Sequence, residues 1–132
     1  MDLEILNIAS KTDNNKDIKN HTHYSKLKNS LCGDEIKIKL IIKNDRIIDF
    51  GYQENSCIYC QASASLLSRI SINSKKIKIS ELCDNAKLYF EVDIKTLPKR
   101  WVSLKKLFKK ENLSRKECIL LPFKTLKKIV TV

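Results

Sequence analysis

A chain of 132 residues with 42% hydrophobic content can bury one core, so a single domain spanning residues 1–132 is predicted. No apolar run is long enough to cross a bilayer, and the opening MDLEILNIAS carries acids where a secretory leader carries bases; no signal peptide, no membrane and a cytoplasmic location are expected. The net charge of +11 invites a nucleic-acid reading, but 22 of the 26 basic residues are lysines scattered along the chain. Base recognition needs arginine forks and exposed aromatics, so a solvated face is expected and no specific nucleic acid.

Residues 2–10 predict a short helix with Leu3, Leu6 and Ile8 as its apolar positions. Residues 11–29 are polar and show no sustained period. Together they make 1–29 an N-terminal helix and a mobile loop, with His21 and His23 as a solvated pair within it. From Glu35 the period becomes two: Ile36, Ile38, Leu40 and Ile42 alternate with Lys37, Lys39 and Lys43, giving a strand with one wet face. Asn44-Asp45 suits a tight hairpin turn, and Ile48, Phe50 and Tyr52 alternate on the return strand. A third extended piece at Ser56–Tyr59 would complete the sheet.

After Gln61 the pattern is helical. Ala62, Leu66 and Ile70 share one face, beside small residues that allow close packing. In 80–93, Leu82, Ala86, Tyr89 and Phe90 form a stripe that places Cys83 in the core. Pro98 breaks the chain, Trp101, Leu104, Leu107 and Phe108 restart a stripe, and Pro122 is read as a first-turn proline of the last helix. The fold class is therefore α+β: a small three-stranded antiparallel sheet near the N-terminal half, with helices packed on one face.

Five cysteines, an odd number, in a reducing compartment argue for metal or sulfur chemistry over a disulfide framework. Gly33 lets the chain turn sharply after Cys32, and Asp34 can swing an oxygen to the same point. Cys57 precedes a helix whose positive end favours thiolate. Cys118 precedes the last helix and can arrive from the far side of the fold. Three thiolates and a carboxylate suit a tetrahedral zinc, or an iron–sulfur cluster; the harder carboxylate makes for easier release. By spacing alone, the same cysteines read equally well as scattered core thiols.

The segments "LCGDEIKIKLII", "DRIIDFGYQENSCIYCQASASLL" and "RKECILLPFKTL" resemble the NifU-type iron–sulfur cluster assembly family, nearest its SufU-like branch, over roughly residues 30–130. The resemblance implies a NifU/SufE-like fold and a scaffold without turnover of its own, beyond a possible sulfurtransferase partnership. It implies sulfur received from a cysteine desulfurase, a transient iron–sulfur cluster, [2Fe-2S] by type, or a zinc site relaying persulfide, and apo iron–sulfur acceptor proteins as recipients. Carried over by motif, Cys32, Asp34, Cys57 and Cys118 are the metal- and cluster-binding residues. Arg115 matches a position beside the third cysteine and the partner surface. The chain departs from the family pattern at Glu117, where the IscU branch has histidine, at Asn29-Ser30-Leu31, which lacks the usual proline, and at Ser56, which replaces glycine.

Cys118 is expected to be the exposed persulfide acceptor, its thiolate favoured by Arg115 and Lys116 against Glu117. Cys60 forms a C-x-x-C with Cys57 and is read as a bystander, with an accessory ligand or a resolving thiol as the other options. The competing class is a thiol–disulfide oxidoreductase using Cys57 and Cys60, which calls for a strand–helix–strand setting that the predicted hairpin does not supply.

Overall fold

The computed structural model describes residues 3–91 and 99–131, and among these the elements run α1 (Leu3–Ala9), β1 (His23–Lys28), β2 (Glu35–Lys43), β3 (Arg46–Asn55), α2 (Ile58–Ser71), α3 (Lys76–Glu91) and α4 (Lys116–Val130). Two 3-10 stretches, Lys99–Lys106 and Lys110–Arg115, lead into α4. Pro98 and the last residues of the 80–93 stretch lie outside the described residues, as does the Trp101 side chain.

The alternation in β2 buries Ile36, Ile38 and Leu40 completely and leaves the lysines between them on the other face. Asn44 and Asp45 adopt φ of 51° and 61°, as a two-residue hairpin turn with right-handed twist requires, and β3 returns antiparallel to β2. Within β3 the phase slips. Ile41 pairs with Asp49 and Ile42 with Ile47, which leaves Ile48 unpaired as a bulge. Ile47 therefore points inward and Ile48 is exposed, while Phe50 and Tyr52 are buried as predicted.

The third strand is not Ser56–Tyr59. It is β1, in the stretch read as a mobile loop, and it pairs antiparallel with β2 from His23–Leu40 to Lys28–Glu35. Its inward positions are His23, Ser25 and Leu27, so only one of three is apolar and no hydrophobic period is visible. Lys26 and Lys28 sit on this edge strand, where lysine also discourages pairing with another chain. Ser56 and Cys57 instead enter α2, which starts at Ile58 rather than near Gln61.

All the helical packing falls on one face of the sheet, as predicted: α4 lies on β1 and β2, α2 on β3, α1 on α2, and α3 on α4. In α1 the buried positions are Ile5, Ile8 and Ala9, and Leu3 and Leu6 are exposed. In α2, Ala62, Ser63, Ala64 and Ser65 are all buried, because the helix is enclosed by α1, α4 and the sheet. Their hydroxyls avoid an unpaired burial cost: Ser63 donates to the Ile119 carbonyl of α4 and Ser65 to the Lys11 carbonyl, each at 2.6 Å. Leu82, Cys83, Ala86 and Phe90 are core residues, as are Leu104 on the first 3-10 stretch and Leu107 and Phe108 in the turn after it. Pro122 is not in a first turn, since the 3-10 stretch runs directly into a helix that begins at Lys116; it lies seven residues in and is buried. At Gly51 a side chain would meet the Lys16 carbonyl oxygen at 2.6 Å, so the N-terminal segment can close over β3 only at a glycine.

Candidate metal or cluster centre

Three separate pieces of chain meet at one end of the sheet. The first is the loop from β1 to β2. Asn29 closes it three times over: its N–H donates to the Asp34 carbonyl at 2.7 Å, its carbonyl accepts from Gly33 N–H at 2.8 Å, and its Oδ1 accepts from Leu31 N–H at 2.8 Å. Asparagine thus holds the turn where the family pattern has proline further along, and an Asx-type signal at Asn29 was there to be read. Gly33 adopts φ +78°, which only glycine takes without strain. The turn leaves Cys32 exposed and carries Asp34 inward to 7% exposure.

The second piece is the start of α2. Cys57 is its N-cap, with extended φ and ψ and no capping bond from its own side chain. Its backbone N–H donates to Asp34 Oδ1 at 3.2 Å, joining the first two pieces. The third is the first turn of α4. Cys118 is the third residue of that helix and buried, not ahead of the helix as expected. One atom from each of Cys32, Asp34 and Cys118 lies within 4.8 Å of the others. Cys57 is not one of those three; it borders them, its backbone N–H bonded to Asp34 and its thiol near enough to Cys118 to raise that thiol.

The electrostatics differ from the sequence expectation at Cys118. Its thiol is pushed well above the ordinary range, first by burial, then by the hydrogen bond with Cys57, and then by the negative charge of Cys57, Cys32 and Asp34. The expected help from Arg115 is directed elsewhere: its guanidinium lies over the Tyr59 ring, 5.4 Å from the centroid. Glu117 pairs with Lys124 at 3.4 Å. Tyr59 was not singled out in the sequence, and C-x-Y-C gives no signal for it. His21 and His23 bond to the Ile18 carbonyl and the Thr22 hydroxyl, and His23 belongs to β1 instead of a loop.

Cys60 and Cys83 are core thiols, both pushed up to about 12 by burial. Cys60, at the third position of α2, is fully buried, and the nearby Ser56 hydroxyl only partly offsets the effect of that burial.

The donor set fits a metal ion or a small cluster. Asp34 Oδ2 is buried with no hydrogen-bond partner among the described residues, an expensive state for a carboxylate oxygen unless a cation takes it up. The Cys32 and Cys118 thiols and that carboxylate are ligand types that zinc and iron accept, and Cys57 stands beside them.

The family described as "NifU-like N terminal domain" matches residues 4–107, well over half the sequence. The chain belongs to this NifU-like family. The match stops short of Cys118, so the third cysteine stands in the group on geometry. An uncharacterized protein of Borreliella burgdorferi is 32% identical over 114 residues, covering 86% of this chain and 79% of that protein. Among solved structures, a candidate iron–sulfur cluster assembly scaffold protein for the SUF system from Fervidobacterium islandicum superposes with a TM-score of 0.90. Identity to it is 22%, over 98% of this chain and 96% of that one. The N-terminal part of a nitrogen-fixing NifU-like protein from Brucella abortus gives 0.89 at 18% identity, over 98% and 91%. At these identities the likeness is one of fold: the NifU-like domain has the α+β architecture predicted, with its sheet strand supplied from further upstream. Among the described residues of the NifU-like chain, no helix is long and apolar enough to cross a membrane.

Proposed function

We propose that this NifU-like chain is a cytoplasmic scaffold for iron–sulfur cluster assembly, one domain over residues 1–132, that accepts sulfur from a cysteine desulfurase and passes a transient cluster to apo acceptor proteins. The observation that supports the reading is the gathering of Cys32, Asp34 and Cys118 within 4.8 Å, with Cys57 tied to Asp34 through its backbone N–H and Asp34 Oδ2 buried without a hydrogen-bond partner among the described residues. Cys32, Asp34, Cys57 and Cys118 would hold the cargo, a [2Fe-2S] cluster, or a zinc ion in a sulfur-relay form of the same function. A metal at this point supplies positive charge that converts the thiols to thiolates.

The chain's own residues divide the work by exposure. Cys32, on an open turn beside Leu31 at 85% exposure, is the thiol an incoming partner meets. Cys118 lies behind it, within 4.8 Å of Cys32 and in contact with Cys57, so it is placed to hold the accepted sulfur among three thiols. Burial argues that Cys118 reacts through Cys32 or after metal binding, not as an exposed thiolate in its own right. Arg115, exposed and stacked on Tyr59, would support the partner surface next to α4.

A stand-alone oxidoreductase on Cys57 and Cys60 would want a parallel strand before the helix, and the described sheet is antiparallel throughout. Elemental analysis of tag-free protein, with acid-labile sulfide, is the test. Iron with sulfide supports the scaffold, zinc supports the relay form, and binding of neither sinks the reading.

A further inference from the structure

Cys60 lies outside the four proposed ligands. Cys57 is the N-cap of α2 and Cys60 the third residue of the helix. Side chains three apart across a helix start face one another, with Cβ atoms about 5–6 Å apart, a range over which small adjustments bring two cysteines to bonding distance. Cys57 makes no capping bond, so its sulfur is not committed to the helix backbone. Cys60 is completely buried and belongs to the core cluster against which Cys57 packs. Cys57 also touches Cys118. It therefore sits between the thiol proposed to hold sulfur and a thiol that no other role claims.

We propose that Cys60 is a resolving thiol that releases accepted sulfur from Cys57 as hydrosulfide. The inference rests on the sulfur-accepting reading above. A persulfide on Cys118 first exchanges with the neighbouring Cys57 thiol: the S–S bond at Cys118 breaks, one forms at Cys57, and Cys118 regains its proton. Burial keeps Cys60 a protonated thiol, so its sulfur attacks Cys57 Sγ as its proton passes to the departing outer sulfur. A Cys57–Cys60 disulfide forms, the bond to the outer sulfur breaks, and that sulfur leaves as hydrogen sulfide with the protons of the persulfide and of Cys60. The outer sulfur gains two electrons, and the two cysteine sulfurs supply them. No external electron donor is needed for that turnover, and a dithiol reductant resets the pair. The step yields sulfur at the oxidation level at which a cluster incorporates it, next to the site that would hold the iron.

The test loads the full-length protein with sulfur from inorganic polysulfide, so that no desulfurase is involved, and removes the excess. Released sulfide and the cysteine linkages are then measured without reductant, in wild type, Cys60→Ser and Cys60→Ala. Wild type should release close to one sulfide per loaded chain and gain a Cys57–Cys60 disulfide by peptide mass. Both variants should keep the persulfide and release at least about tenfold less. Equal release in the variants, a disulfide between Cys57 and another cysteine, or failure of polysulfide to load Cys57 in Cys60→Ala would overturn the proposal. In a parallel arm with a cysteine desulfurase and free cysteine, lack of loading beside normal polysulfide results would count against the proposed function alone, and the resolving step would stand.

Discussion

Asp34 and Cys57 are tied by the backbone: Asp34 Oδ1 accepts the Cys57 N–H at 3.2 Å, and Asp34 Oδ2 is left buried and unpartnered. One oxygen fixes the start of α2 against the turn after β1, and the other is free for a cation. On the proposed function, the carboxylate has a structural half and a binding half. Substitutions at Asp34 should separate the two.

Asp34→Asn keeps the accepting oxygen and removes the charge. The fold should remain while metal affinity falls, by about 10- to 100-fold, the usual scale for disturbing a metal's immediate surroundings. Competition with a coloured chelator measures it. Affinity equal to wild type would show that Asp34 does not face the metal.

Asp34→Cys makes the set all-sulfur and softer, so zinc or a cluster should leave more slowly. Transfer to a chelator, followed by absorbance, should slow at least several-fold relative to wild type. Faster loss would mean that the carboxylate was holding the cargo more firmly than a thiolate does.

Cys57→Ser should abolish stoichiometric binding of metal or cluster, whereas Cys83→Ser should leave it in place. Cys83 is buried on α3 among Leu82 and Ala86, and its substitution should cost only stability, on the order of 1 kcal/mol. Elemental analysis of the two variants decides. The reverse pattern would refute the ligand set.

Gly33→Ala and Gly51→Ala should destabilise for different reasons. At Gly33 there is open space around a new Cβ but φ is +78°, so the cost is conformational, about 1–2 kcal/mol. At Gly51 the new atom meets the Lys16 carbonyl at 2.6 Å and the Ile18 side chain at 2.9 Å, so the segment over β3 must move and the larger loss is expected there. Urea denaturation of both variants ranks them.

Nucleic-acid binding should be salt-sensitive and indifferent to sequence, because lysines release counterions without reading bases. Titration of several duplexes and single strands at physiological salt checks this. A strong preference for one sequence would show that the charge of +11 is not incidental.

The strongly patterned parts of this fold could be read from the chain alone. β2 alternates because one face is buried and one is wet, and its turn needs two residues that tolerate positive φ; both facts are written in IKIKLIIKND. β1 could not be read, because its inward face is histidine, serine and leucine, and its register comes from β2 rather than from its own period. The bulge at Ile48 was equally hidden, as Ile47 and Ile48 are chemically alike and only the pairing chooses between them. At the site, the fold gathers Cys32, Asp34 and Cys118, three of the four residues to which motif and chemistry pointed, with Cys57 bonded alongside through Asp34, but the sequence did not say which thiol would be open. Exposure at Cys32 and burial at Cys118 follow from the turn and from the depth of α4, which are tertiary facts.

Pro122 stands four residues after Cys118, inside α4. Proline has no N–H, so the Cys118 carbonyl lacks the donor that the next helical turn normally provides. The helix is therefore uncoupled at one point, between the turn that carries Cys118 and the part that anchors Leu126, Ile129 and Val130 in the core. A cysteine that exchanges a proton, a sulfur atom or a metal bond has to change position slightly each time. On the proposed function, that gap is where such an adjustment would be absorbed, leaving the packing further along α4 undisturbed.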